Sequence, residues 1–228
     1  LIVLLGDTRH GPFLKTMKSL GWGRMCVAMK PKPYEFEPWA FDNECFPPWQ
    51  QAGCPIGVDD VGWCLLWDGE AYEKRLAKAR TVNSDPLFAV VPDIPGGGLN
   101  SLSFSVEWRM QWLPEGWPWY LAVQDGMSPE QVEPHLHIFQ GVFLGGSDSF
   151  KRQAGLWCDF AHHHQKKFHY ARCGTSDKLK HAHEIGADSI DSALTVWEVE
   201  RFNQFVRDYC DLENQGNLFA ASQEKVTE

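Results

Sequence analysis

Short, almost wholly apolar runs alternate along this chain with amphipathic stretches and polar or glycine-containing turns. Eight runs are candidate strands: Leu1–Leu5, Met25–Met29, Trp39–Cys45, Leu87–Asp93, Trp119–Asp125, Gly141–Gly146, Phe168–Cys173 and Ser189–Ser192. Most are continuously apolar rather than alternating, the pattern of parallel strands covered by helices. Several connections carry helical spacing. Tyr72, Leu76 and Ala79 recur at four and three, and Phe150, Ala154, Trp157 and Ala161 at four, three and four. Val196, Val199, Phe202, Val206 and Tyr209 line one stripe of a closing helix. Ser128-Pro129 and Thr175-Ser176 supply the cap and first-turn residues of helix starts. Eight β-α units in about 210 residues predict a compact (β/α)8 TIM-type barrel. Residues 1–210 then form one catalytic domain, and residues 211–228 a mobile C-terminal tail. An open doubly wound sheet is the alternative. The connection from the second run to the third is a Pro-rich loop from Lys30 to Pro38 rather than a helix. Pro95-Gly96-Gly97-Gly98 lacks the G-x-G-x-x-G spacing, so no dinucleotide and no other cofactor is expected.

Composition narrows the class. Apolar residues at 43% and charged residues at 22% of 228 positions exclude disordered, collagen-like and coiled-coil chains. The longest apolar runs fall far short of the roughly 18 residues of a membrane span, and no targeting segment is visible. Seven cysteines without a CxxC pair suit free thiols in a reducing cytoplasm, a host's if the chain is phage-encoded. Eleven tryptophans, several clustered around residues 108–119, are read as core and loop packing ahead of base stacking.

Charge matters locally. The net value is −9, yet residues 1–33 carry six basic side chains against one acid, and residues 151–183 carry seven against two. Two basic segments inside an acidic protein can still guide a polyanion. Lys151, Arg152, Lys166 and Lys167 are the expected nucleic-acid contacts. In a closed barrel these segments flank the eighth strand. Gly145-Gly146-Ser147-Asp148-Ser149 opens a helix and reads either as a phosphate cradle or as an ordinary cap. His162-His163-His164 with Cys158, His169 and Cys173 invites a metal reading, but consecutive helical histidines point about 100° apart, so no metal site is expected.

Polar residues fall where the apolar runs end. Asp42, Asp93, Gln124, Gly145-Gly146 and Asp191 each lie at or near a C-terminal strand end, and in a barrel those ends converge on one mouth. Paired carboxylates there can serve as nucleophile and acid/base at a glycosidic carbon. Spacing alone does not select that chemistry.

A resemblance adds specificity. Gly186-Ala187-Asp188-Ser189-Ile190-Asp191, preceded by Arg172-Cys173-Gly174-Thr175, resembles the nucleophile segment of the tRNA-guanine transglycosylase superfamily. Ala40-Phe41-Asp42-Asn43 resembles the segment carrying the second catalytic aspartate. Val91-Pro92-Asp93, Ala122-Val123-Gln124-Asp125-Gly126 and Phe143-Leu144-Gly145-Gly146-Ser147 follow in the family's order as guanine-recognition elements. The wording around Asp42 and Gly145-Gly146 is most similar to the DpdA-type deazaguanine DNA transglycosylases of phages and bacteria. The resemblance spans about residues 20–195.

It implies a pentosyltransferase that exchanges guanine in DNA for a free 7-deazaguanine such as 7-cyano-7-deazaguanine, with partner proteins an open question. Asp191 corresponds to the nucleophile and Asp42 to the general acid/base. Asp93 and Gln124 would read the base edge, with the Gly145-Gly146 backbone close to it. Asp188 is the rival nucleophile. The tRNA enzymes carry a Cys/His zinc site beyond the nucleophile, whereas here only Cys210 follows Asp191, which points to DNA and to no zinc. A tRNA substrate, or a glycosylase or nucleosidase using water, remains the alternative.

Overall fold

Apolar strands buried on both faces need neighbours in the ring and helices outside it, and the eight strands of this chain meet both needs in sequence order. The computed structural model describes residues 1–6, 8, 10–26, 38–82 and 84–224, the stretch 215–224 by its backbone alone. Strands β1 (Ile2–Leu5), β2 (Gly23–Cys26), β3 (Trp39–Phe41), β4 (Phe88–Val90), β5 (Trp119–Val123), β6 (Gly141–Leu144), β7 (Lys167–Tyr170) and β8 (Ser189–Ser192) pair in parallel and close into a barrel, β8 returning to β1. The (β/α)8 barrel is the observed architecture and the open sheet is not. Residues 27–29 of the second apolar run, and all but the last residue of the Pro-rich loop, lie outside the described residues.

Around the ring run α1 (Gly11–Ser19), α2 (Phe46–Gln51), α3 (Asp60–Cys64), α4 (Gly69–Ala79), α5 (Leu99–Gln111), α6 (Pro129–Val132), α7 (Ala154–His163), α8 (Ser176–Glu184) and α9 (Val199–Glu224). Two of the helical spacings are met: Tyr72, Leu76 and Ala79 are the buried face of α4, and Ala154, Trp157 and Ala161 belong to that of α7, with Phe150 in the turn before it. Of the closing stripe, Val196 precedes α9 and Val199 is exposed, while Phe202 is buried and Val206 and Tyr209 are half-buried. Thr175 Oγ1 caps α8 through the Lys178 N–H, and Gln131 accepts the Ser128 N–H at 2.9 Å. The closing helix runs through Glu224, so the backbone beyond residue 210 continues as helix into the segment read as a tail. Its Phe202 stacks on Phe13 at 4.0 Å, and its Tyr209 meets Trp22 edge-on at 5.0 Å. This helix therefore holds α1 and the β1–β2 side of the ring.

Two apolar layers follow from strand alternation. Val3, Leu5, Trp39, Phe41, Val142, Leu144, Phe168 and Ile190 face the helices. Leu4, Met25, Ala40, Phe88, Val90, Tyr120 and Ala122 fill the interior, with Phe143 against them. Phe88 and Tyr120 stack at 4.4 Å. Tyr120 also explains Gly141, where any Cβ would come within 2.5 Å of its ring. Of the clustered tryptophans, Trp117 and Trp119 are buried, while Trp112 is exposed. Trp67 and Trp108 meet edge to face at 5.3 Å, and Trp39 and Trp117 at 5.7 Å, so packing accounts for most of the aromatic excess.

Candidate active site at the barrel mouth

Most strands end before the apolar runs do. β3 stops at Phe41, β4 at Val90 and β5 at Val123, which leaves Asp42, Asp93 and Gln124 just past the ladder. Their side chains turn into the mouth with Asp191 of β8, although the Asp42 N–H still bonds to Cys26 O of β2 at 3.0 Å. The loop after β3 is built to hold them. Asp42 Oδ1 accepts the Glu44 N–H at 2.9 Å, and Glu44 takes a left-handed backbone (φ 56°) to allow it. Asn43 donates to Val91 O and to Asp93 Oδ1, both at 2.8 Å, tying the β3 and β4 loops together. Arg75 of α4 forms an ion pair with Glu44 and donates to Asn43 O at 3.2 Å.

The three acids are not equivalent. Burial pushes the Asp42 carboxyl up to about 7, helped by the Asp191 charge and opposed by Arg75. Asp93 is also raised to about 7, chiefly by burial, against its hydrogen bond from Asn43. Asp191 is buried too, which by itself pushes its carboxyl up. The hydrogen bond from His169, the attraction of that ring in its charged form, the Arg172 N–H and the Lys151 charge outweigh this and hold it below the usual carboxylate range. The mouth thus pairs an ionised Asp191 with a protonated Asp42 near neutrality, the separation that acid/base chemistry needs.

Gln124 is fully engaged within the protein. Its Nε2 lies 3.1 Å from Asp93 Oδ2, 2.9 Å from Ile94 O and 2.7 Å from Ser101 Oγ, and its Oε1 accepts the Gly96 N–H at 2.6 Å. It holds Asp93 in place and has no donor to spare for a base edge. Gly146 is required by the fold: it has φ 73°, and a Cβ would come within 2.8 Å of Asp125 Oδ2. Gly145 has no such internal reason, since a Cβ there would meet only Val123 O at 3.4 Å. The anion in the turn that follows is the protein's own. Asp125 accepts from Ser147 N at 2.7 Å and Ser147 Oγ at 2.6 Å, which makes the turn a cap and leaves no phosphate cradle there.

Among the described residues, the four expected nucleic-acid contacts do not gather at the mouth, and Arg9, Lys30 and Lys32 of the first basic segment lie outside the described residues. Lys151 is buried, donates to Ala171 O and lies 5.5 Å from the Tyr170 ring centroid. Burial, with the neighbouring Arg172 charge, lowers it to about 7. Lys166 and Lys167 precede or begin β7 and so sit at the opposite end of the barrel, bonded to Phe139 O at 2.6 Å and to Asp188 at 2.7 Å. Arg152 is exposed, beside that buried lysine in the turn before α7. Asp188 is likewise at the far end. It accepts from Phe168 N at 2.8 Å and pairs with His162 at 2.9 Å, a structural carboxylate away from the mouth. His162 and His164 turn to different partners, the latter to Glu133 at 3.7 Å.

Three participants escaped sequence reasoning in these roles. His169, weighed only as a metal ligand, lies inside the barrel with its Nε2 3.0 Å from Asp191 Oδ1. Arg172 has a left-handed backbone (φ 55°), and its N–H donates to Asp191 Oδ1 at 3.0 Å. Its guanidinium bonds Gly146 O and lies 4.9 Å over the ring of Phe46, at the start of α2. Since β3 and β7 are four strands apart in a ring of eight, this side chain spans the mouth. No protein-family model and no curated protein matches the chain.

Proposed function

We propose that the protein is a glycosyl-transferring enzyme that exchanges guanine in DNA for a 7-deazaguanine through a glycosyl ester on Asp191. One arrangement carries the reading: two buried carboxyls meet at one barrel mouth in unlike surroundings, Asp191 held below its ordinary range by donors from His169 and Arg172 and Asp42 raised to about 7 by burial. That is the requirement of double displacement at an anomeric carbon, where one carboxylate attacks while the other delivers a proton.

In the first step the Asp191 carboxylate bonds to C1′ as the bond from C1′ to guanine N9 breaks, and Asp42 gives its proton to the departing base. In the second, the ionised Asp42 takes the N9 proton of the incoming 7-deazaguanine. That nitrogen attacks C1′ and the ester bond breaks. Both bases leave and enter on the same face, so the configuration is retained. Gly145, small without an internal reason, offers its backbone to the base plane. Asp93, with Asn43 on one oxygen and Gln124 on the other, keeps lone pairs for the base edge. The Arg172 side chain must lift from Phe46 for a base to reach Asp191. The nucleotide must also be extruded from its stack, at a cost of a few kcal/mol.

The test is intact-mass spectrometry of the protein incubated with a guanine-containing oligonucleotide, followed by labelled 7-cyano-7-deazaguanine. An adduct absent from Asp191→Asn, with uptake of label into duplex DNA, is the expected result. Label entering tRNA alone would move the substrate to the tRNA branch. Guanine release without uptake would make the enzyme a hydrolase, and no adduct with either polymer would end the proposal.

A further inference from the structure

Asp191 carries both of its hydrogen bonds from described residues on one oxygen. Oδ1 lies 3.0 Å from His169 Nε2 and accepts the Arg172 N–H at 3.0 Å; Oδ2 accepts from none of the described residues. The histidine is constrained in turn. It is fully buried in the barrel interior, with its ring stacked on Phe143 at 4.8 Å and 11° and tilted against Phe88 at 4.7 Å. Its other nitrogen, Nδ1, is 2.8 Å from Ser189 Oγ.

A carboxylate can only accept, so the proton between His169 and Asp191 belongs to Nε2. In a neutral ring Nδ1 is then an acceptor, and Ser189 must donate to it. An imidazolium enclosed by two phenyl rings would be costly, and burial lowers the basicity of this ring despite the adjacent carboxylate.

We infer that His169 is a positioning residue: neutral, with its proton fixed on Nε2 by the Asp191 carboxylate and with Ser189 donating to Nδ1, it pins Asp191 Oδ1 and leaves Oδ2 as the atom that bonds to the sugar. The inference rests on the reading of Asp191 as nucleophile, but the His169–Ser189–Asp191 arrangement itself does not. A carboxylate rotating freely would present either oxygen and bind sugar and solvent alike. One held on Oδ1 presents a single reactive oxygen in a fixed position, the geometric advantage of an oriented nucleophile. When the ester forms, Asp191 loses its charge while a neutral histidine keeps its hydrogen bond to the ester oxygen. No unpaired imidazolium is left in the apolar interior. The other ionisable groups acting on Asp191 are Asp42 from the β3 end, Lys151 from the turn before α7, and Cys173 after β7; Arg172 acts through its backbone N–H. On His169 they are Asp191 and Lys151.

The experiment has two arms. Nitrogen-15 NMR of histidine-labelled protein reads the tautomer without any substrate. The expected result is His169 neutral at pH 7 and above with its proton on Nε2, and a mixture of tautomers in Asp191→Asn, whose amide can donate or accept; a proton on Nδ1 in wild type would overturn the inference. The second arm titrates the Asp191 carboxyl carbon and the adduct-forming rate in His169→Phe, which suits the space between two phenyl rings, and in His169→Gln, which keeps a donor. A hydrogen bond to a charged group is worth roughly 1.5–3 kcal/mol, so the Phe variant should slow adduct formation about 10- to 100-fold and move the Asp191 midpoint up by about 1–2 pH units. Gln should recover most of both. Equal loss in the two variants with an unmoved midpoint would make His169 a core residue only. A moved midpoint with no adduct in any variant, wild type included, would retain the positioning role and discard the transglycosylase reading.

Discussion

Replacing Asp42 with Asn should remove activity and add stability, and the two effects have one cause. The carboxyl titrates at about 7 in the folded chain against an ordinary 3.8, mainly because the ionised form is buried. That difference corresponds to about 4 kcal/mol, an upper figure because Asp93 and Asp191 interact with the same charge. The sign follows from linkage. With its folded value above its unfolded one, Asp42 contributes stability that is fully present below pH 3.8 and lost as pH rises through about 7. Asparagine keeps the acceptor for the Glu44 N–H and cannot ionise. At pH 8 the variant should therefore exceed wild type by up to about 4 kcal/mol, on the order of 10 °C in Tm for a chain of this size. Near pH 4 the two should melt together. Calorimetry at pH 5 and pH 8 measures the difference, and the contribution of Asp93 cancels to first order in the comparison. At pH 6 adduct formation should fall by about two to four orders of magnitude as the general acid is lost. A variant whose Tm drops between pH 5 and 8 as steeply as wild type would refute the argument, because the destabilising charge would then lie elsewhere.

Adduct formation should decline above about pH 7 as Asp42 gives up its proton, whereas Asp191 stays ionised well below that pH; a rate still rising at pH 8.5 would contradict the assignment. Arg172→Ala should weaken oligonucleotide binding and lower its salt slope by about one, while Lys166→Ala/Lys167→Ala, at the far end of the barrel, should change neither; binding across a salt series decides. Gly146→Ala should cost about 1–3 kcal/mol in denaturant titration for its left-handed backbone and its approach to Asp125. Gly145→Ala should fold normally yet raise KM for the incoming base, and a stability loss equal to that of Gly146→Ala would remove the case for base contact there.

The barrel was legible because parallel, doubly buried strands read as apolar runs, and the acids at their ends were legible because a closed ring brings those ends together. The boundaries were not: ladder pairing stops at Phe41, Val90 and Val123, short of the run ends read from the sequence at Cys45, Asp93 and Asp125. Segment charge misled because it ignores strand direction. Lys166 and Lys167 stand before β7 in sequence, so parallel pairing already put them away from the mouth. His169 left a readable trace. In Phe168-His169-Tyr170 the two aromatics face the helices, and strict alternation sends the histidine inward opposite Ser189, two residues before Asp191. The contact of Arg172 with Phe46 had none, because it depends on a side chain crossing a ring whose diameter the sequence does not state.

Exclusion of water links these observations. Burial between Phe88 and Phe143 lowers the basicity of His169, and the hydrogen bond from its ring helps hold Asp191 below the usual carboxylate range. The same dryness raises Asp42 and Asp93, so the acid arises from the condition that would otherwise oppose the nucleophile. What separates the two acids is hydrogen bonding. Oδ1 of Asp191 meets two donors, one an imidazole N–H, whereas Asp42 accepts only local backbone N–H groups and faces the Asp191 charge. Arg172 serves both ends of this arrangement: its backbone N–H supports Asp191 while its guanidinium spans the mouth to Phe46. A base that lifts the guanidinium and takes its place over Phe46 would keep water out while leaving the backbone donor on Asp191 undisturbed. Opening the mouth therefore need not cost the nucleophile its charge.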